Sequence, residues 1–300
     1  MASCERRDRP RTPTTAPDTR RNTTRGIAGE RSPEGSEGTT TVDAMTRRAM
    51  VTGASSGIGE ATARLLRARG WEVVGVARRA DRLAALAAET GVVARAADLT
   101  DADDIAALAA WLDETGGVDA LVHIAGGARG TDRIEDGDPE DWRWMFEVNV
   151  LAGQQLVASL LPTLRRAADD VGHADLLFVT STAAQTAYPG GGGYNAAKAG
   201  ESMLVHALRQ ELNGEPLRVT EIAPGMVRTE EFTLNRLGGD RAAADKLYEG
   251  VEAPLVAEDV ADVIAYALDA PGHVNLDLVT LRPVAQSAQH LLARGPLKTR

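Results

Sequence analysis

Alternation of short apolar runs with Ala/Leu-rich segments constrains this chain more than any other feature. The runs fall at 49–52, 71–77, 92–97, 119–124, 175–180, 217–223 and 276–281. Between them, residues 57–69, 81–89, 101–115, 139–166, 194–213 and 257–269 read as helices, with shorter helix between 230 and 250. Short apolar runs spaced by helices read as strands buried on both faces, and that pattern implies a mainly parallel sheet covered on each side. No long linker or internal repeat follows residue 46, so one α/β domain is expected over 47–290, with a short tail at 291–300.

Residues 1–46 contain Arg, Thr, Pro, Ser, Gly and Glu in no periodic order and offer little to bury, so a disordered extension is expected there. It reads as an inert arm, with Met45 as an alternative start; a regulatory or nucleic-acid-binding arm is the other reading. The whole chain carries a formal −10. Because residues 1–44 hold eight arginines against seven acidic groups, the remainder is more acidic still. Such a body repels nucleic acid and anionic lipid, so neither is expected as a partner. Cys4 is the single cysteine, which excludes an intrachain disulfide or thiolate cluster and agrees with a cytoplasmic protein. No run spans a bilayer, and no signal-type apolar segment follows the Arg-Arg pairs.

Thr52-Gly-Ala-Ser-Ser-Gly-Ile-Gly59 lies between the first strand and the first helix. Glycines at 53, 57 and 59 let backbone N–H groups approach a pyrophosphate at a helix N-terminus. The second strand ends Ala77-Arg78-Arg79. An acid there would bind the ribose 2′-hydroxyl of NAD; alanine followed by two guanidiniums favours the 2′-phosphate of NADP. The bland alternative is that both arginines solubilise a loop and cap the next helix. Asp98-Leu99 reaches toward an adenine, or Asp98 caps a helix. His123, inside an apolar strand, reads as a hydrogen-bonded core residue rather than a catalyst. Trp142, Trp144, Met145 and Phe146 read as core or subunit contact, and Asn149 bends its helix or holds a water.

Ser181 precedes Tyr194-Asn-Ala-Ala-Lys198 by thirteen residues. Positions i and i+4 share one helix face, so the phenol and the ammonium stand together. The cation, helped by a cationic nicotinamide ring, is expected to draw the phenol's pKa below its usual value of about 10, with Ser181 holding a carbonyl or carbinol oxygen. Tyr188 lacks a lysine at i+4. Ile222-Ala-Pro-Gly-Met-Val-Arg-Thr229 turns the chain at Pro224-Gly225, and Thr229 contacts a carboxamide or a phosphate. The polar stretch 230–250 reads as a substrate lid.

Together these residues resemble the short-chain dehydrogenase/reductase family over 48–285. The resemblance implies a Rossmann-type doubly wound sheet of about seven strands, no metal, and a homo-oligomer, with a tetramer favoured over a dimer. It implies Tyr194 as general acid/base and Lys198 as ribose ligand and pKa-lowering cation. It also implies Ser181 as the residue that orients substrate and Asn149 as holder of a relay water. Cofactor contacts are expected from Gly53, Ser55, Ser56, Gly57, Ile58, Gly59, Arg78, Arg79, Asp98 and Leu99. Ala125, Gly126, Tyr194, Lys198, Pro224, Gly225, Val227 and Thr229 complete the expected cofactor set. His123-Ile124 departs from the family's Asn-Asn, which leaves the strand hydrogen bonds made there in question. The C-terminal third, with Pro271-Gly-His-Val-Asn275 and Gln286, resembles the NADP-dependent 3-hydroxy acid (serine or allo-threonine) dehydrogenase branch. Candidate carboxylate ligands are Arg129, Arg133 and Arg228. Rival readings are a broad aldehyde/ketone or 3-oxoacyl reductase, and a non-catalytic NADP-binding sensor.

Overall fold

The computed structural model describes residues 46–299; the expected N-terminal extension and Met45 lie outside them, apart from Thr46. Seven parallel strands form one sheet in the order β3-β2-β1-β4-β5-β6-β7. They are β1 (Arg48–Thr52), β2 (Glu72–Ala77), β3 (Val93–Ala96), β4 (Ala120–His123), β5 (Ala174–Val179), β6 (Leu217–Pro224) and β7 (Leu278–Leu281). All seven expected strands are present, and the doubly wound order follows from them.

Side chains alternate across each strand, so register decides which face a residue serves. Met50, Leu121, Leu176 and Val219 are successive register partners. They form one apolar row against α3 (Ala102–Glu114), α5 (Ala152–Val171) and α6 (Gly192–Glu211). The neighbouring row, Val51, Val122 and Leu177, faces α1 (Gly57–Ala68), α2 (Ala80–Thr90) and α9 (Ala257–Asp269). Two cores result, one on each side of the sheet. The strand order reverses between β1 and β4, and the crevice beyond their C-terminal ends is where such sheets bind ligands.

The helix expected over 139–166 is divided. α4 (Pro139–Phe146) starts at Asp138, whose carboxylate accepts from Glu140 N. A π-turn at Glu147–Leu151 then separates it from α5. The wider turn arises around Asn149, whose buried side chain donates to Met145 O at 2.7 Å and to Gly127 O at 2.9 Å. The lid stretch holds α7 (Phe232–Arg236) and α8 (Arg241–Tyr248). Past β7, β8 (Gln286–Ala288) pairs antiparallel with β9 (Leu291–Leu292), so a ladder joins the two sides of residue 290.

One buried ion network ties the N-terminal edge of the sheet to its last helix. Asp175 accepts from Arg47 Nη2 and from Arg218 Nε, both at 2.7 Å. Arg218, itself 5% exposed, also donates to Leu268 O and Ala270 O at the end of α9. Removing the carboxylate leaves a guanidinium desolvated without its anion. Asp175→Ala is therefore expected to cost about 3–5 kcal/mol of folding free energy, read from urea denaturation; a loss under about 1 kcal/mol contradicts this.

Candidate active site

A cleft of about 630 Å³ opens over the C-terminal ends of β1, β4, β5 and β6. Its first wall is the glycine loop. Gly53 adopts φ +69°, which the turn out of β1 requires. A Cβ on Gly59 would collide with the Gly53 carbonyl, 2.5 Å from its carbon and 3.0 Å from Ala54 N. The loop is thus folded onto the helix start so closely that only glycine fits, which places the start of α1 where its N–H groups can face a phosphate. Thr52 Oγ1 accepts from Ile124 N and Ala125 N at 2.9 Å and lies 3.2 Å from His123 Nδ1. His123 therefore bridges β1 and β4 through Thr52, which answers the question left by its departure from Asn-Asn. Burial, with the charge of Lys198, pushes its pKa down to about 3, so it is neutral and structural.

Every cofactor contact expected from sequence lines this cleft except Lys198: Gly53, Ser55 through Gly59, Arg78, Arg79, Asp98, Leu99, Ala125, Gly126, Tyr194, Pro224, Gly225, Val227 and Thr229 are all there. Asp98 accepts from Thr100 N and Oγ1. Burial pushes its carboxyl up, but those hydrogen bonds and the charge of Arg78 hold it below the usual range. Helix α3 is capped by Asp101 instead, so the capping alternative for Asp98 falls. Thr229 Cγ2 lies 3.4 Å from where a Cβ on Gly57 would stand, which puts it at the phosphate end.

Ser181 and Tyr194 line the other end of the cleft, and both are buried. Ser181 sits where β5 gives way to a 3₁₀ turn, its Oγ accepting from Ala183 N at 3.0 Å. Tyr194 stands in the first turn of α6, and Asn195 anchors that turn by donating to Ala183 O at 2.7 Å. Lys198 and Asn149 sit just behind the lining. A Cβ on Gly126 would lie 3.3 Å from Lys198 Nζ and clash with Asn149 Oδ1, so both groups converge on one glycine. The four residues are therefore brought together by three separate elements, with Tyr194 and Lys198 both on α6.

Burial pushes the Tyr194 phenol above its ordinary value, and the pull of Lys198 and the Ser181 hydroxyl does not cancel it. A smaller contribution in the same direction comes from Glu201, a residue that the sequence reading missed. Lys198 Nζ donates to Glu201 Oε2 at 2.6 Å and to Val179 O at 3.2 Å. Burial disfavours this ammonium, yet Glu201 more than compensates and holds its pKa above the ordinary value. Burial raises the Glu201 carboxyl in turn. Glu201 is one helical turn past the lysine, a buried acid at i+3, and only its spacing signalled it.

The lid closes the substrate end. The Phe232 ring lies 5.6 Å from that of Tyr194. The Arg236 guanidinium lies 5.5 Å from the Tyr194 ring and donates to Tyr188 Oη at 2.9 Å. It has no carboxylate partner among the described residues. The three arginines named only as candidate carboxylate ligands, with surface arginine the commoner explanation for each, are placed elsewhere. Arg129 pairs with Asp141 and stacks on Trp144, Arg133 is 81% exposed beside Glu135, and Arg228 lies against Tyr248. None of them lines the cleft, whereas Arg236 does. Met145 is buried and Trp144 lines the cleft, while Phe146 is exposed at the surface.

The profile of the short chain dehydrogenase family matches residues 47–236. An uncharacterised oxidoreductase of Mycobacterium tuberculosis is 49% identical over 259 residues, covering 86% of this chain and all of that protein. A serine 3-dehydrogenase of Agrobacterium fabrum is 42% identical over 241 residues, 79% of this chain and 94% of its own length. Among solved structures, the closed form of a serine dehydrogenase complexed with NADP+ superposes with a TM-score of 0.76 at 32% identity, covering 82% of this chain and 99% of its own.

Proposed function

The chain belongs to the short-chain dehydrogenase family, and from that premise we propose that it moves a hydride between NADP(H) and the β-carbon of a small 3-hydroxy acid such as serine or allo-threonine. Gly53 and Ser55 through Gly59 would hold the pyrophosphate of NADP(H), Arg78 and Arg79 its 2′-phosphate and Lys198 its nicotinamide ribose, and the cofactor would supply or accept the hydride when bound. Tyr194 passes the proton to or from the substrate oxygen, which Ser181 holds by a hydrogen bond. Lys198, behind Gly126, passes that proton onward to a water held by Asn149 at the π-turn. Phe232 and the lid keep water from the reacting carbon.

The observation that carries this reading is the convergence of Ser181, Tyr194, Lys198 and Asn149 at one end of a cleft whose other end is the glycine loop. Arg236 supports the acid as substrate: its nitrogens donate to Gly130 O, Tyr188 Oη and Gly190 O, but its charge beside the phenol has no carboxylate partner among the described residues. The named serine dehydrogenases agree with that class. An initial-rate panel of β-hydroxy acids and neutral alcohols, followed by NADPH absorbance, tests it. Arg236→Gln is expected to raise KM for the hydroxy acid by about 30-fold or more, the cost of removing one partner of a charge pair. Turnover of a neutral alcohol should change little. Equal losses on both would remove Arg236 from substrate recognition, and equal efficiency of the wild type on neutral carbonyls or acyl thioesters would favour a broad reductase. A cytoplasmic homotetramer belongs to the same proposal. Exposed Leu151 and Met203, with partly exposed Phe146, support assembly through α4–α6, and light scattering on a sizing column measures it.

A further inference from the structure

The lid carries an anion of its own into the nucleotide end of the cleft. Glu231, which immediately precedes α7, lines the cleft alongside the glycine loop, and its side chain is 20% exposed. Its Oε1 accepts from Arg79 Nη1 at 2.7 Å and from Arg82 Nη1 at 2.8 Å. The remaining edge of Arg79 donates to Ser55 Oγ at 2.9 and 3.2 Å and to Ser56 Oγ at 2.9 Å. Hydrogen bonding by Arg79 outweighs burial and, with Ser56 and the charge of Arg82, holds the Glu231 carboxyl below its usual range. One oxyanion thus gathers two guanidiniums and a hydroxyl just past the end of β2.

That is where a doubly wound sheet places the 2′-position of the adenosine ribose, and no acidic residue of β2 itself stands there. The donors present are those a phosphate monoester takes, the planar guanidinium fork above all. A phosphate brings about 1.5–2 negative charges and cannot share those donors with a carboxylate. The ordinary reading of Glu231 is a surface ion pair that steadies the lid. It does not account for a carboxylate aimed into the cleft at the one arginine cluster beside the glycine loop.

We propose that Glu231 is a resident counter-anion in the 2′-phosphate subsite, displaced when the phosphorylated nucleotide binds, so that it sets the affinity for NADP(H) against NAD(H). This rests on the NADP reading above. Adenosine bound without the 2′-phosphate leaves the Glu231–Arg79–Arg82 cluster intact, whereas the 2′-phosphate must first break it. Each partly exposed pair is weak, so two of them set a modest but measurable cost, roughly three- to tenfold in binding.

Isothermal titration of the full chain with 2′,5′-ADP and with 5′-AMP tests this without turnover. The wild type is expected to prefer 2′,5′-ADP. Glu231→Gln is expected to tighten 2′,5′-ADP roughly three- to tenfold and to leave 5′-AMP within about twofold. Glu231→Ala should behave alike, which guards against one variant that folds poorly. A wild type indifferent to the 2′-phosphate overturns both the NADP reading and the exchange. A wild-type preference that both variants leave unchanged or weaken overturns the exchange alone, and assigns Glu231 to orienting Arg79.

Discussion

Replacing Tyr194 with phenylalanine is expected to lower kcat about 10²–10⁴-fold on the best hydroxy acid, with nucleotide affinity within about twofold. The substitution removes one hydroxyl and keeps the ring, so packing against Phe232 and the contact with Arg236 persist. Lys198 also stays in place, because its hydrogen bonds run to Glu201 and the Val179 carbonyl. Loss of turnover then reports proton transfer and little else. The pH profile follows from the same geometry. Burial holds the phenol above its ordinary value, so the protonated acid is the resting form near neutrality. Alcohol oxidation, which needs the phenolate, should rise with pH, and carbonyl reduction should fall as the phenol ionises. Initial rates in both directions across the pH range measure this. Near wild-type kcat in the variant would remove Tyr194 from the chemistry.

Placing a methyl group on Gly59 is expected to be the most damaging small change to the nucleotide site. The added Cβ meets only backbone, the Gly53 carbonyl and Ala54 N, and backbone cannot swing aside as a side chain can. The loop must shift, which should cost about 1–3 kcal/mol of stability. A displacement of about 1 Å in a positioning loop is enough for about a hundredfold loss of function. Gly59→Ala should therefore abolish measurable 2′,5′-ADP binding in calorimetry while leaving a cooperative, lower melting transition. Gly70→Ala is the matched control. It has a positive φ of +88° but no heavy atom within 4 Å of its Cβ position, so it should lose stability alone. Binding retained in Gly59→Ala would mean that the loop does not hold the nucleotide.

The fold was legible because it rests on short-range regularities. Apolar runs such as Ala120–His123 and Ala174–Val179 are buried along their whole length, and a strand buried on both faces needs no partner to be read. The π-turn was not legible. Glu147–Leu151 continues a helical pattern in sequence, and only the backbone carbonyls of Gly127 and Met145, brought to Asn149 by the fold, select the wider turn. The arginines show the same limit. Arg129, Arg133, Arg228 and Arg236 are alike as letters, and charge alone cannot say which has found a carboxylate. Three of them lie against Asp141, Glu135 and the face of Tyr248, while Arg236, with no carboxylate partner among the described residues, lies 5.5 Å from the Tyr194 ring.

By itself the sequence determined the parallel sheet, the glycine loop and the pairing of Tyr194 with Lys198, because strand period, φ requirement and i,i+4 spacing are all local. Only the tertiary structure decided the charge environment of these groups. Helix spacing put Glu201 beside Lys198, but only folding buried the pair, and Glu231 came to Arg79 from 152 positions away because the lid folds back over β2. Electrostatic partners are set by distance in space, and distance in space is what folding adds.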